Sequence, residues 1–456
     1  MKIGLLPLFI KLYDDMGNAY RPTLEPYGEK IAKMFEEKGF EVVRNGFCRI
    51  KPEFEEAVAK FENEKVDAIV TIHMAYSPSL ESIEVLTKTD LPIVVLDATY
   101  TPEYNHDTHA GFITFNHGIH GVMDMCSMLK RYGKPYGIAA GHVDNSDVVD
   151  RVCGLVKSAV AAKALSNTKV ARVGGSFAGM GDFLIPNDEM KERFGVEVNE
   201  LAPDYLEKMV ASVTDAEVEA EVKDNEANFD FADDIIEDEY KEHLKGCLGM
   251  RKCLEDGNYN AFTVNFLELD GIGTMPFLEA CKGMARGIGY AGEGDALTAA
   301  FTGALLKAYP ETGFVEIFCP DWKNDMLLLS HMGEMSYSTT KGKPVITRGS
   351  GSITKGTQPY KGFAGMKEGK GVYVNISRDA DNFQLFVAEA EIVDRQPDEF
   401  STAMHGWLKP TGYTTAEFLE THSKHGATHH SIFVYGATKD EMEYFGKILG
   451  MKVVVA

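Results

Sequence analysis

Five polar residues of this chain lie where a merely solvated side chain would be out of place. Glu293 sits between glycines in "GYAGEGDALTAAF", Glu316 in "GFVEIFCPDW", His331 in "LLLSHMGEM", and His429 with His430 in "GATHHSIFVYG". Glu316 and His331 stand inside or beside apolar runs, where an unpaired charge or imidazole is costly to bury, so each needs a partner. Either one alone is better explained by a satisfied core hydrogen bond. Two carboxylates and one or two imidazoles together would form a mixed oxygen and nitrogen site. That chemistry suits Mn²⁺, with Mg²⁺, Co²⁺, Fe²⁺ or Zn²⁺ as competitors. Spacing does not establish the site, because no pair falls at the i, i+4 interval of a helical metal motif.

The first stretch carries a second acid, Asp295, just ahead of a small-residue helical pattern. A carboxylate there can cap the helix, accepting its free N–H groups at the positive end of the dipole, or it can serve as a ligand or base. A glycine on each side of Glu293 would let backbone and ligand approach closely. Two other Gly-rich stretches are weak phosphate-loop signals. "GGSFAGMG" (174–181) follows a strand but has no Walker lysine, and "GSGSITKG" (349–356) lies among turns rather than before a helix.

The elements that must position these residues read as α/β. Short apolar runs such as "KIGLLPL", "VDAIVTI" and "LPIVVLDA" alternate with amphipathic patterns such as "EPYGEKIAKMFEEKGF" and "PEFEEAVAKFENEK". Continuous apolar strands between amphipathic helices mean a parallel sheet covered on both faces. The pattern predicts an N-terminal doubly wound α/β domain over 1–167 and a central α/β domain over 168–318, beginning at "KVARVGGSF". Over 319–456 the texture changes to short alternating strands between Gly-rich turns, which predicts a mainly antiparallel, barrel-like β domain. The acidic run "DFADDIIEDEYKEH" (230–243) reads as a solvated helix face.

Composition limits the function classes. The 456 residues are 44% hydrophobic and 25% charged, ordinary values for a folded protein. A formal charge of −23 argues against nucleic-acid and anionic-membrane surfaces. The seven cysteines are odd in number and form no C-x-x-C pair, which points away from a disulfide framework and toward a reducing cytoplasm. No apolar stretch approaches the roughly 20 residues that span a bilayer.

Taken in order, "GYAGEGDALTAA", "FVEIF", "SHMGEMS" and "GATHHSIF" resemble the signature blocks of the L-arabinose isomerase family, which shares its fold with L-fucose isomerases. "AIVTIHMAYSPS", "FNHGIHGV" and "AFTVNFLELDGI" also resemble that family's segments, so the likeness covers nearly the whole chain. The resemblance implies an aldose-ketose isomerase, an intramolecular oxidoreductase working through an enediol. It implies that Glu293, Glu316, His331 and His430 bind one divalent metal, typically Mn²⁺, and that Glu293 and Glu316 are also the acid/base pair. His120 would contact substrate across a subunit interface, and His429 and Asp295 would support the substrate beside the metal. The implied assembly is a homo-hexamer built from trimers.

This sequence departs from the family around the sugar. "LFIKLYDD" stands where a polar "SQHLYG" type segment is usual, so Ile10 replaces a glutamine with Lys11 beside it, and His117 replaces another glutamine. "HMGEMS" replaces "HMLEVCPS". The metal set is untouched, which implies the same reaction on a sugar other than, or in addition to, L-arabinose. Lys11 and His117 would suit an anionic or C6-modified aldose, although a solvated Lys11 is an equally good reading. Two alternatives share the fold or chemistry: a sugar-binding protein without catalysis, and a metal-dependent epimerase or aldolase.

Overall fold

In the computed structural model, which describes residues 1–17, 20–349, 358–395 and 404–456, the apolar runs become the strands of three main sheets. Most of the "GSGSITKG" stretch, 350–356, lies outside the described residues. The chain divides into two units, Met1–Val160 and Ala161–Ala456.

In the first unit, strands β1 (Lys2–Leu8), β2 (Glu41–Arg44), β3 (Ala68–His73), β4 (Ile93–Asp97) and β5 (Tyr136–Ala140) pair in parallel in the order β2-β1-β3-β4-β5. Every residue of β3 is buried, as a strand covered on both faces requires. Phe54 and Phe61 of helix Lys51–Asn63 and Met125 and Leu129 of helix Ile119–Arg131 pack on Leu6, Leu8, Ile69 and Val95. Full burial of each such side chain contributes roughly 1.5–3 kcal/mol. Gly4 in β1 makes this packing close, since a Cβ there would stand 2.6 Å from the Phe61 ring. The strand order reverses between β1 and β3, and the crevice beyond their carboxyl ends is where such sheets bind ligands.

The second unit holds β6 (Lys169–Val173), β7 (Glu197–Glu200), β8 (Asp230–Phe231), β9 (Ala261–Val264), β10 (Gly289–Gly292), β11 (Thr312–Asp321), β12 (Met326–Ser330), β13 (Val345–Arg348), β14 (Tyr360–Phe363), β15 (Gly369–Arg378), β16 (Phe383–Val393), β17 (His405–Pro410), β18 (His430–Tyr435) and β19 (Lys452–Val455). A second parallel sheet runs β10-β9-β6-β7. The ladder β15-β18-β11-β12-β17-β16 closes on itself through β15–β16, giving a six-stranded antiparallel barrel with β19 added in parallel on β16. Closure removes the exposed edges that an antiparallel sheet would otherwise present.

Helix Ala296–Leu306 is buried at every position, the pattern of a helix covered all round. It packs on β9 and β10 on one side and on β11 and β18 on the other. Small residues let it approach, for a Cβ at Gly289 would stand 2.2 Å from the Ala299 carbonyl oxygen. This helix therefore fixes the end of β10 against the barrel strands.

The acidic run 230–243 is not one helix. Asp230–Phe231 form β8 on β13, and the helix begins only at Glu237. Asp234 is drawn out of the helix by accepting from the Thr347 hydroxyl at 2.8 Å, while Glu237, Asp238 and Glu239 occupy the first helical turn, where the dipole favours acids. No helix among the described residues is long and apolar enough to cross a membrane.

Candidate active site and metal centre

The two acids of the "GEGD" stretch divide the roles the sequence left open. Asp295 is the N-cap of helix Ala296–Leu306, its Oδ1 accepting from the Thr298 N–H at 2.9 Å. Glu293 points elsewhere and does so from a left-handed backbone, with φ of 63°. Such a conformation is uncommon for a non-glycine residue and is held by its surroundings. The Phe177 N–H donates to the Glu293 carbonyl at 2.9 Å. Gly294 has φ of 82°, and a Cβ there would stand 2.2 Å from the Gly175 carbonyl oxygen. On the other flank, a Cβ at Gly292 would stand 2.6 Å from Cε1 of His331. Both glycines are thus required by close approach.

Barrel strands bring the remaining groups to Glu293. Glu316 in β11 is the direct antiparallel partner of His430 in β18 on one side and of Ser330 in β12 on the other, and His331 follows immediately. Ligand atoms of Glu316, His331 and His430 lie within 4.8 Å of one another, as do those of Glu293, His429 and His430. Nε2 of His331 is 3.6 Å from Glu316, and Nε2 of His430 is 3.6 Å from Glu293. His430 Nε2 is buried and has no hydrogen-bond partner among the described residues, an arrangement that costs free energy unless something else takes its lone pair. Phe183 stacks on the His430 ring at 5.0 Å, and Phe314 meets the rings of His331 and His430 edge-on. Two carboxylates, two imidazoles with free Nε2 edges and an apolar wall fit a hard or borderline divalent cation.

Carboxylates behind the imidazoles set their orientation. His331 Nδ1 is 2.7 Å from Glu334, and His430 Nδ1 is 3.0 Å from Asp295. His429 Nδ1 is 2.6 Å from Asp182, with its Nε2 3.5 Å from Glu293. Burial pushes the His429 imidazole down, but its hydrogen bonds to Asp182 and Glu293 raise it to about 10. Asp182 is pushed up by burial yet held down at about 2 by His429. Burial also pushes Glu293 up, and its hydrogen bond to His429 with the neighbouring imidazoles brings it below the usual carboxylate range. Glu316, in contrast, is raised, because burial outweighs the attraction of the histidines.

The structure thus gathers Glu293, Glu316, His331, His430, His429 and Asp295 in one place, with Asp295 behind His430 and fully buried. His120, His117 and Lys11 belong to the first unit. There His117 Nε2 meets the Tyr13 hydroxyl at 2.5 Å, the His117 and His120 rings are 5.7 Å apart, and Lys11 pairs with Asp15 at 2.7 Å on an exposed helical turn. Three groups were not singled out from the sequence. Asp182 is 247 positions from His429, and Phe183 follows it in the Gly-rich loop after β6. Glu334 alone carried a local signal, standing three residues after His331.

Comparison with known proteins decides the family. The family model for the L-arabinose isomerase central domain matches residues 187–309, and that for the L-arabinose isomerase C-terminal domain matches 311–452, together more than half of the chain. The chain belongs to the L-arabinose isomerase family. An L-arabinose isomerase of Klebsiella pneumoniae is 25% identical over 87% of this chain and 82% of its own length. One of Oceanobacillus iheyensis is 26% identical over 86% of this chain and 85% of its own. The enzyme class is that of these isomerases, intramolecular oxidoreductases that exchange an aldose with its ketose. Among solved structures, a periplasmic solute-binding protein of Actinobacillus succinogenes with bound D-allose covers 67% of the chain at 14% identity, with a TM-score of 0.18.

Proposed function

We propose that this L-arabinose isomerase relative is a metal-dependent aldose-ketose isomerase whose centre is Glu293, Glu316, His331 and His430. The observation that carries the reading is the buried Nε2 of His430, unpartnered among the described residues and facing a cluster of two carboxylates and a second imidazole. Mn²⁺ suits this donor set best, with Mg²⁺ or Co²⁺ as substitutes. When bound, the cation would polarise the sugar's vicinal oxygens and orient them.

The chain's own groups account for the proton movements. One of Glu293 and Glu316 takes the proton from C2 of the aldose while the other, as the acid, gives a proton to O1, giving the enediol. The same carboxyl then returns a proton to C1 while the other takes one from O2, which restores both groups. Both side chains keep some exposure, 12% and 21%, enough for a sugar to reach them from the open side. His429, held by Asp182, lies against Glu293 and can donate to a sugar hydroxyl or to that carboxylate.

The substrate proposal rests on the first unit. His120 is assigned to the sugar from the family likeness of its segment, and His117 and Lys11 from the places where this sequence departs from the family, in a cytoplasmic homo-hexamer with sites near subunit interfaces. Exposed Phe318 and Trp322 on the β11–β12 hairpin support a surface covered in an assembly. The exposed Lys11–Asp15 pair contributes only about 0–1 kcal/mol, so an anionic group on a sugar could draw Lys11 away. Turnover measured across neutral, 6-deoxy and anionic aldoses, before and after chelation, tests the reading. The expected result is metal-dependent conversion favouring an aldose other than L-arabinose. Clean preference for L-arabinose contradicts the altered substrate, and full turnover after chelation contradicts the metal.

A further inference from the structure

We infer that Glu334 is a positioning residue that, through a Tyr290–Glu334–His331 relay, sets which nitrogen His331 turns toward the site. The inference rests on the metal reading above and adds to it. His331 Nδ1 lies 2.7 Å from one Glu334 oxygen, and the Tyr290 hydroxyl donates to the other at 3.0 Å. His331 is 5% exposed, Glu334 1% and Tyr290 not at all. With a Glu334 oxygen as the acceptor of this hydrogen bond, the imidazole N–H lies on Nδ1, which leaves Nε2, the nitrogen facing Glu316, as the ring's acceptor.

The relay is anchored at both ends. Tyr290 lies in β10, three residues before Glu293, and packs edge-on against Phe262 and Phe314. The turn between His331 and Glu334 is tied down where the Cys281 thiol donates to the Gly333 carbonyl at 3.1 Å and Lys361 donates to the Met332 carbonyl at 3.3 Å. β10 therefore supplies the far end of the relay behind His331 and leads directly into the turn that carries Glu293. His430 is oriented by a separate device, the helix-capping Asp295. Partners of this kind fix ring orientation and ligand basicity, and losing one typically costs 10–100-fold in metal affinity.

Glu334→Gln keeps the shape but lets the amide donate to Nδ1, which moves the ring proton to Nε2. Tyr290→Phe keeps the ring and removes only the hydroxyl. The test titrates Mn²⁺ into metal-stripped wild type and both variants, following free Mn²⁺ by electron paramagnetic resonance, with melting curves of the stripped proteins. The expected result is affinity about 10–100-fold weaker in Glu334→Gln and weakened to a smaller extent in Tyr290→Phe, with cooperative melting retained. Wild-type affinity in a folded Glu334→Gln overturns the inference while leaving the metal reading intact. If Glu334→Gln does not fold, unchanged affinity in Tyr290→Phe overturns it. Failure of wild type itself to bind Mn²⁺ removes the metal reading, and the inference with it.

Discussion

At the scale of single residues, the site depends on positions that carry no functional group. Gly292 lies against the His331 ring, which is buried and pinned by Glu334, so an added methyl has nowhere to go. Gly292→Ala is expected to destabilise the fold by about 1–3 kcal/mol, the usual range for overpacking. Displacing His331 should also cut turnover at least about tenfold, since each 1.36 kcal/mol of misplacement is a factor of ten. Urea unfolding and initial rates check both, and a variant with wild-type stability and rate would contradict this packing. The sequence exposed Glu293, Glu316 and the histidines because charged or imidazole groups in apolar or Gly-rich surroundings need a reason to be there. It could not show Asp182, because a loop aspartate 247 positions from its partner looks like any solvated acid.

Elements were legible where burial imposes a period. The three inner parallel strands of the first unit, β1, β3 and β4, read as continuous apolar runs because both of their faces are covered, and β15 and β16 read as barrel strands between glycine turns. The run 230–243 misled because acidic composition does not distinguish a helix face from a turn whose aspartate is already engaged. The same elements carry a pH dependence. Burial lowers the imidazoles of His73 in β3 and His243 in helix Glu237–Asp256 to about 3, and that of His422 in helix Thr415–Lys424 to about 4. Unfolded histidine titrates near 6.5, so below that value the unfolded chain binds more protons than the folded one. The stability these neutral histidines contribute is complete above about pH 6.5 and is lost as pH falls toward 3–4. At pH 5 each should cost about 2 kcal/mol. Calorimetry from pH 7 to 5 should show falling melting temperatures, with a shallower slope in His422→Gln; an unchanged slope in that variant contradicts the assignment.

At the scale of the whole molecule, alternation of strands and helices and the later change in texture made two parallel-sheet α/β parts and a C-terminal barrel readable. The particular pairing that closes the barrel, β15 with β16, depends on contacts between strands rather than on any one strand's pattern. Assembly and substrate were least legible. Both depend on which surfaces meet and which side chains reach a sugar, and the first unit's Lys11, His117 and His120 carry that question. The central claim is that the second unit moves a proton between carbons with the help of a bound cation. Proton NMR of the Mn²⁺-loaded enzyme turning over an aldose in D₂O, repeated after chelation, tests it most directly. Because Glu293 and Glu316 are partly open to water, a captured proton should exchange, and the account predicts deuterium at C1 of the ketose and no conversion once metal is removed. Ketose formed without deuterium at C1, or at an unchanged rate after chelation, would contradict it.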